Sequence, residues 1–247
     1  MFSRVKRWLW HLLTPTQIGI LQRPSLLLTK PTIGQVNFGD LRRTTPIAAG
    51  WGLDRGHPVD RYYIENFLAA NRQDIRGRVL EVESNRYTLR YGGDQVTQSE
   101  VLMPVAGHPG TTIVADLTSA DHVPGDSFDC IILTQVLQNI YDYRAAIQTT
   151  KRLLRPSGVA LITVAAMASL VYGEDGDFHD YWRWMRLALE KDFLAFFEAQ
   201  KLKVEAWGNV LAVTAFLYGL GSGDLKREEL DTNDPNCPLI LTVRAVK

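Results

Sequence analysis

From Asp60 onward the chain alternates between two hydrophobic periods. The stretch "DRYYIENFLAANRQDI" sets Tyr63, Ile64, Phe67 and Leu68 at helical spacing, with Asp60 as N-cap candidate and Gly77 past the end. Short apolar runs follow: "RVLEVE", "QVTQSEVLM" and "TTIVA" read as strands, and "FDCIILT" is nearly unbroken, as a central parallel strand covered on both faces would be. The helical "YRAAIQTTKRLL" leads through Pro156, Ser157 and Gly158 into the strand "VALITVA". A helix around "LEKDFLAFFEAQK", a strand "KVEAWGN", a helix "VLAVTAFLYGL" and a strand "PLILTVRAV" complete the pattern. Seven strands interleaved with helices predict a doubly wound, mostly parallel α/β sheet over residues 60–247, with ligands at the carboxyl edge of its strands.

Residues 1–59 are different. Residues 14–60 carry many Pro, Gly and Thr with little periodicity and read as an arm. Before the first acidic residue, Asp40, stand Arg4, Lys6, Arg7, Arg23 and Lys30, with Trp8, Trp10, Leu12 and Leu13 among them. The opening "MFSRVKRWLWHLL" fits a short basic amphipathic helix, so residues 1–30 are a candidate contact for a partner protein or a membrane surface. Its apolar run is broken by His11 and lacks a small-residue cleavage site, which argues against a signal peptide.

Composition narrows the picture a little. Hydrophobic residues make up 46% and charged residues 22%, and the formal net charge is zero, so no general affinity for nucleic acid is expected. Cys130 and Cys237 stand far apart and outside any metal-binding spacing, so neither a metal site nor a disulfide is expected, and a reducing cytoplasm fits. Peripheral attachment at the inner membrane face remains open through the N-terminal extension.

Four pieces, in order, resemble a class I S-adenosylmethionine-dependent methyltransferase of the type 11 kind: "VLEVESN", "SEVL", "IVADLTSADHVPGDSFDCIILTQVLQNI" and "TTKRLLRPSGVALITV". More narrowly, "FGDLRR", "DRYYIENFL" and "DYWRW" resemble methyltransferase domains found beside bacterial glycosyltransferases. The resemblance implies a Rossmann-like fold, S-adenosylmethionine as cofactor, and a sugar, glycan or related small molecule as acceptor in polysaccharide biosynthesis. Glu100 would accept the ribose hydroxyls from the end of the second strand beside Val101, because charge-assisted bonds suit a diol. Asp116 would accept from the adenine amino group while Leu117 packs on the ring, and the backbone of Thr134, Gln135 and Val136 would hold the methionine part. Arg61 and Tyr62, on the helix covering that edge, would close over the cofactor, with Arg61 toward the substrate. His179 and Asp180 are candidate bases for an alcohol acceptor, with His57 another. Tyr181 and Trp182, with Trp184, would offer an aromatic platform.

The first loop departs from the family's glycine-rich pattern. Glu83, Ser84 and Asn85 stand where glycines would let the main chain approach the cofactor. Asn85 tolerates the left-handed region. Alternation predicts Glu81 and Glu83 on one side, where two carboxylates need a cation between them; the cofactor ammonium or Arg86 would serve. "TVAAMASL" also lacks the family's Val-Pro-Gly type of exit after the fifth strand. These residues leave two readings open: a methyltransferase with an altered binding loop, or a methyltransferase-like scaffold subunit without catalysis. A nucleotide-dependent oxidoreductase is disfavoured by the absence of GxGxxG and by the "RPSG" turn.

Overall fold

The computed structural model describes residues 30–170 and 179–247; the basic amphipathic segment expected near the N-terminus lies outside them. The chain divides into two compact units between Thr44 and Thr45. Of the first, residues 30–44 form an exposed stretch with one helical turn, Gly39–Leu41, whose Gly39 amide donates to Asn37 Oδ1 at 2.9 Å.

The second unit is built on seven strands: β1 (Gly77–Val82), β2 (Val96–Met103), β3 (Ile113–Val114), β4 (Phe128–Thr134), β5 (Leu154–Ala165), β6 (Leu202–Trp207) and β7 (Ile240–Val246). Their spatial order is β3-β2-β1-β4-β5-β7-β6, with β7 alone antiparallel to its neighbours. The fold class and the seven strands are as the apolar pattern predicts, except that β5 starts at Leu154 and takes in the expected turn Pro156 to Gly158, with a register shift there against β4. The continuous apolar run of β4 sits at the centre of the sheet, where Cys130, Ile131, Ile132 and Leu133 are inaccessible.

Among the described residues, five helices cover the faces: α1 (Val59–Ala70), α2 (Tyr143–Leu153), α3 (Arg186–Leu194), α4 (Val210–Leu217) and α5 (Arg227–Asp231). Ala146, Ile147, Leu153, Leu189 and Phe193 of α2 and α3 join one core, and Ile64, Leu68, Val213, Phe216 and Leu230 of α1, α4 and α5 join the other. Side chains start two of these helices. Asp142 accepts from the Ala145 amide at 3.1 Å, and Asn209 from the Ala212 amide at 2.9 Å. Asp60 does not cap α1 as predicted. Pro58 holds that place, and Asp60 lies inside the first turn with its side chain buried. The α3 helix starts and ends earlier than expected; its Phe193 turns inward and the chain continues to Phe197 in tight turns.

The arm from Thr45 onward belongs to the larger unit. The Ile47 and Ala48 amides both donate to the Tyr218 carbonyl, at 2.9 and 3.2 Å. Pro58 bridges Gly221, the Ser222 amide reaches the His57 carbonyl at 2.6 Å, and Arg55 pairs with Asp224 at 2.7 Å. Gly50, Trp51 and Gly52 all carry positive φ, at 67°, 59° and 85°. At Gly52 a side chain would meet the Leu220 carbonyl oxygen at 2.6 Å, so glycine is required there.

Candidate functional site

Strands that run parallel deliver their carboxyl ends to one edge, and a cavity of about 1230 Å³ opens there. Its floor is the end of β1 (Val82, Glu83), the end of β2 and its exit (Leu102 to Val105), the segment after β3 (Ala115 to Thr118) and the exit of β4 (Thr134 to Val136). Asp60 and Arg61 from α1 close one side. His179, Asp180, Tyr181 and Arg183 close another.

The glycine question has a geometric answer. Glu83 has φ 75°, the left-handed conformation that a glycine would supply. Its amide donates to the Leu102 carbonyl at 3.1 Å, so the backbone keeps the glycine-like path without glycine. The exit of β4 repeats the arrangement. Gln135 has φ 58° and its amide donates to the Thr163 carbonyl at 2.9 Å. Asn85, the residue expected to tolerate that region, is not among the positive-φ positions. It instead donates from Nδ2 to Ser99 Oγ at 3.2 Å, and neither Asn85 nor Ser84 lines the cavity.

The turn at Glu83 breaks strand alternation, so the two carboxylates do not share a site. Glu81 is 2% exposed and accepts from the Thr88 amide at 2.7 Å, the Thr88 hydroxyl at 2.8 Å and the Tyr87 amide at 3.3 Å. It anchors the wide helical turn Thr88–Gly92, which replaces a full helix between β1 and β2. Burial pushes the Glu81 carboxyl above its ordinary value against the pull of those bonds. Glu83, by contrast, is exposed at the cavity rim.

Glu100 is also displaced from its expected place. Strand β2 ends at Met103, as its apolar pattern predicts, so Glu100, which the resemblance places at the strand end, pairs with Leu80 within the strand. Arg78 donates to its Oε1 at 2.8 Å, Gln98 donates to the same oxygen, and the Arg78 guanidinium lies 4.8 Å over the Phe128 ring. Burial raises the Glu100 pKa, but bonds from Thr112 and Arg78 outweigh it and leave the carboxyl below its ordinary value. Val101 is buried, its amide on Thr112 Oγ1 at 2.9 Å. The strand end at the cavity is therefore Met103 and Pro104, with no carboxylate on it.

The remaining expected residues divide in two. Asp116, Leu117, Thr134, Gln135, Val136, Arg61, His179, Asp180 and Tyr181 all line the cavity, whereas Tyr62 and Trp182 do not. The Tyr62 hydroxyl donates to Asp231 on α5, and Trp182 donates from Nε1 to the Tyr141 carbonyl at 3.1 Å while packing on Tyr143. Asp116 Oδ1 accepts from both the Thr118 amide (2.7 Å) and hydroxyl (2.8 Å), a turn that presents Leu117 to the cavity. Both oxygens of Asp180 take the Arg183 guanidinium, and Arg183 also holds the Ser169 carbonyl after β5 at 2.7 Å. That engagement makes Asp180 an anchor for the β5 exit and leaves His179, exposed with its ring 5.6 Å from Tyr181, as the cavity's imidazole on that side. His57 pairs with Glu65 at 3.3 Å and is outside the cavity wall.

Sequence reasoning missed Asp60 as a site residue. It is 8% exposed, its Oδ1 has no hydrogen-bond partner, and burial raises its pKa, with Arg61 opposing that rise. Burial would lower the pKa of Arg61, but Asp60, Tyr87 and Glu83 outweigh it and hold the guanidinium firmly charged. Its Nη1 donates to Tyr87 Oη at 3.4 Å. The only early sign was the adjacent acid–base pair Asp60–Arg61 at the start of an amphipathic helix. Tyr141, 70% exposed and 5.4 Å from Tyr181, was missed too, because it sits in an irregular turn without periodicity.

A seven-stranded sheet of this order, with one reversed strand and a cavity across its carboxyl edge, defines the class I S-adenosylmethionine-dependent methyltransferase fold. The family model of the methyltransferase domain matches residues 55–215, and the chain belongs to that family. Among solved structures, a methyltransferase from Mesorhizobium loti is similar with TM-score 0.50 and 18% identity over 79% of this chain and 100% of that one. A methyltransferase from Archaeoglobus fulgidus has TM-score 0.48 and 13% identity, covering 76% of this chain and 90% of its own. The [4+2]-cyclase SpnF has TM-score 0.49 and 16% identity, covering 76% of this chain and 82% of its own. Comparison with curated proteins finds no match. Among the described residues no helix is long and apolar enough to cross a membrane, and no group of three or more His, Cys, Asp or Glu is placed to hold a metal ion.

The residues present fit S-adenosylmethionine at its two ends. Asp116 and Leu117 suit the adenine. The Asp60 oxygen left without a hydrogen bond, beside the charged Arg61, suits a zwitterion, since a buried polar atom calls for a partner. The ribose lacks its usual carboxylate. The Glu83 backbone yields a direct test. A Glu83→Gly variant should be about 1 kcal/mol more stable, because the left-handed strain is released. An unfolding midpoint in urea that stays the same or falls would show that the Glu83 side chain repays that strain.

Proposed function

We propose that this methyltransferase moves a methyl group to a hydroxyl of a sugar, glycan or related small molecule, in a cytoplasmic step of polysaccharide assembly. The observation that carries the reading is one continuous cavity joining the Asp60–Arg61 pair and Asp116–Leu117 to His179 and Tyr181. When bound, S-adenosylmethionine supplies an electrophilic methyl group on a sulfonium. Arg61 would hold its carboxylate and Asp60, with Glu83 at the rim, its ammonium; Asp116 and Leu117 would hold the adenine. His179 would accept the proton of the acceptor hydroxyl and return it to solvent as the carbon–oxygen bond forms and the carbon–sulfur bond of the donor breaks, leaving S-adenosylhomocysteine. Tyr181 and Tyr141 orient the acceptor ring against their faces. Positioning supplies most of the rate gain, since an in-line displacement needs its atoms aligned and little else.

The test is calorimetric titration with S-adenosylmethionine and S-adenosylhomocysteine, alongside thermal unfolding. Binding should appear as heat and as a melting point that climbs with ligand concentration. No heat and no climb at millimolar ligand would leave the family membership intact and remove the catalytic reading.

A further inference from the structure

The cavity exceeds the ~300–1,000 Å³ of an ordinary ligand site at about 1230 Å³. The strand-end residues assigned to the cofactor, Glu83, Asp116, Leu117 and Thr134 to Val136, follow β1, β3 and β4. The half of the edge over β5 and β7 has a different chemistry. Its walls are Ala168 after β5, Leu239 and Ile240 at β7, Phe216 on α4, and Trp51 and Leu53 from the arm. Of these side chains only the Trp51 indole carries a hydrogen-bonding atom. Trp51 and Ala168 pack against the core that contains Phe216, Leu239 and Ile240.

That apolar wall continues. A second recess of about 180 Å³ shares Trp51 and Phe216 with the cavity, and Pro46, Ala48, Leu170 and Leu217 help to line it. No charged residue contributes to it. Apolar space of about 150 Å³ suffices for a guest the size of benzene. Trp51 is held at this junction with φ 59°, a conformation that bulky residues rarely adopt. Its position is fixed by glycines on both sides, one with no room for a side chain. His179, Tyr181 and Arg183 supply polar groups to the acceptor half, and Arg183 borders the apolar wall, its guanidinium donating to the Ala168 carbonyl at 3.3 Å and the Ser169 carbonyl at 2.7 Å.

We infer that the acceptor is an amphiphile, with a sugar hydroxyl at His179 and Tyr181 and a hydrocarbon group lying against Trp51 and Phe216 and running into the adjoining recess. This rests on the methyltransferase reading above and adds the substrate's second half. A sugar without such a group would leave the apolar wall wetted, and burial of each further methylene against it adds affinity.

The experiment uses the full chain saturated with S-adenosylhomocysteine and titrated with methyl, butyl, hexyl and octyl β-D-glucoside below their micellar concentrations. Affinity should rise about fourfold per methylene and level off once the recess is filled. Trp51→Ala and Ala168→Phe should each flatten that rise while the S-adenosylhomocysteine isotherm stays unchanged. The second variant fills space where the first removes a wall, so a folding failure in one leaves the other decisive. Glucosides that fail to bind the saturated protein, or bind equally at every chain length, would overturn the inference. So would a rise that persists in both variants. Failure of S-adenosylhomocysteine itself to bind would instead strike the methyltransferase reading, and this inference with it.

Discussion

An Arg61→Met variant should bind S-adenosylhomocysteine about 100-fold more weakly than the native chain, a difference of about 2.7 kcal/mol. Two effects add. The ligand carboxylate loses a charge-assisted donor. Asp60 also loses the cation that opposes the rise in its pKa, so its buried carboxyl shifts further toward the neutral form and pairs less well with an ammonium. Arg61→Lys keeps the charge without the planar fork and should fall between the two, about 10-fold down. The same pairing fixes the sign of a pH effect. The Asp60 pKa is raised, so affinity should drop on acidification at a pH above that at which an ordinary aspartate protonates. Titration calorimetry across pH 4–8 with both variants checks these expectations together. Native affinity in Arg61→Met would place the carboxylate elsewhere.

Glu81→Ala should cost about 3 kcal/mol of stability and lower the melting point by about 6–12 °C. The substitution strands the Thr88 amide and hydroxyl, both bonded to one buried carboxylate, and releases the turn that carries the chain from β1 to β2. Glu81→Gln keeps an acceptor oxygen and should cost much less. The isostere also isolates a linkage effect. Burial raises the folded-state pKa of Glu81, so the folded form holds its proton more tightly than the unfolded form does. The stability that this group contributes is fully present below the unfolded pKa and is lost as pH rises through the raised folded value. In Glu81→Gln that decline should disappear. Urea unfolding of the three proteins between pH 4 and 7 separates the terms, and a loss below 1 kcal/mol in Glu81→Ala would mean that the turn is held by other contacts.

Much of the fold was legible because burial writes itself into hydrophobic period. Only a central strand accommodates an apolar run such as Phe128–Leu133 with both faces covered, and only a packed helix explains Tyr63, Ile64, Phe67 and Leu68 together. The site was less legible, because it depends on where strands stop and which way single residues turn. The family resemblance of "SEVL" places Glu100 at the strand end, although the apolar pattern already carries the strand to Met103, and Val101 and Leu102 do continue the same ladder. Glu81 and Glu83 looked like neighbours on one side because alternation holds only while the backbone stays extended, and one left-handed residue separates a cap from a rim. Asp180 reads as a candidate base, but Arg183, three residues on, closes on both its oxygens. The family's glycine position marks residue 83 as a place for a positive φ, whereas no pattern in the chain marks Trp51.

The stitching of the arm has an architectural consequence. Ile47 and Ala48 hang from the Tyr218 carbonyl, and His57, Pro58 and Arg55 are fastened to Ser222, Gly221 and Asp224, so both ends of the segment bearing Trp51 are sewn to one short loop after α4. The canopy above the β5–β7 side is thus a fixture with two seams. Shortening or lengthening the stretch between them would change the headroom over β7 directly, which makes residues 49–56 a natural dial for the size of guest that side admits.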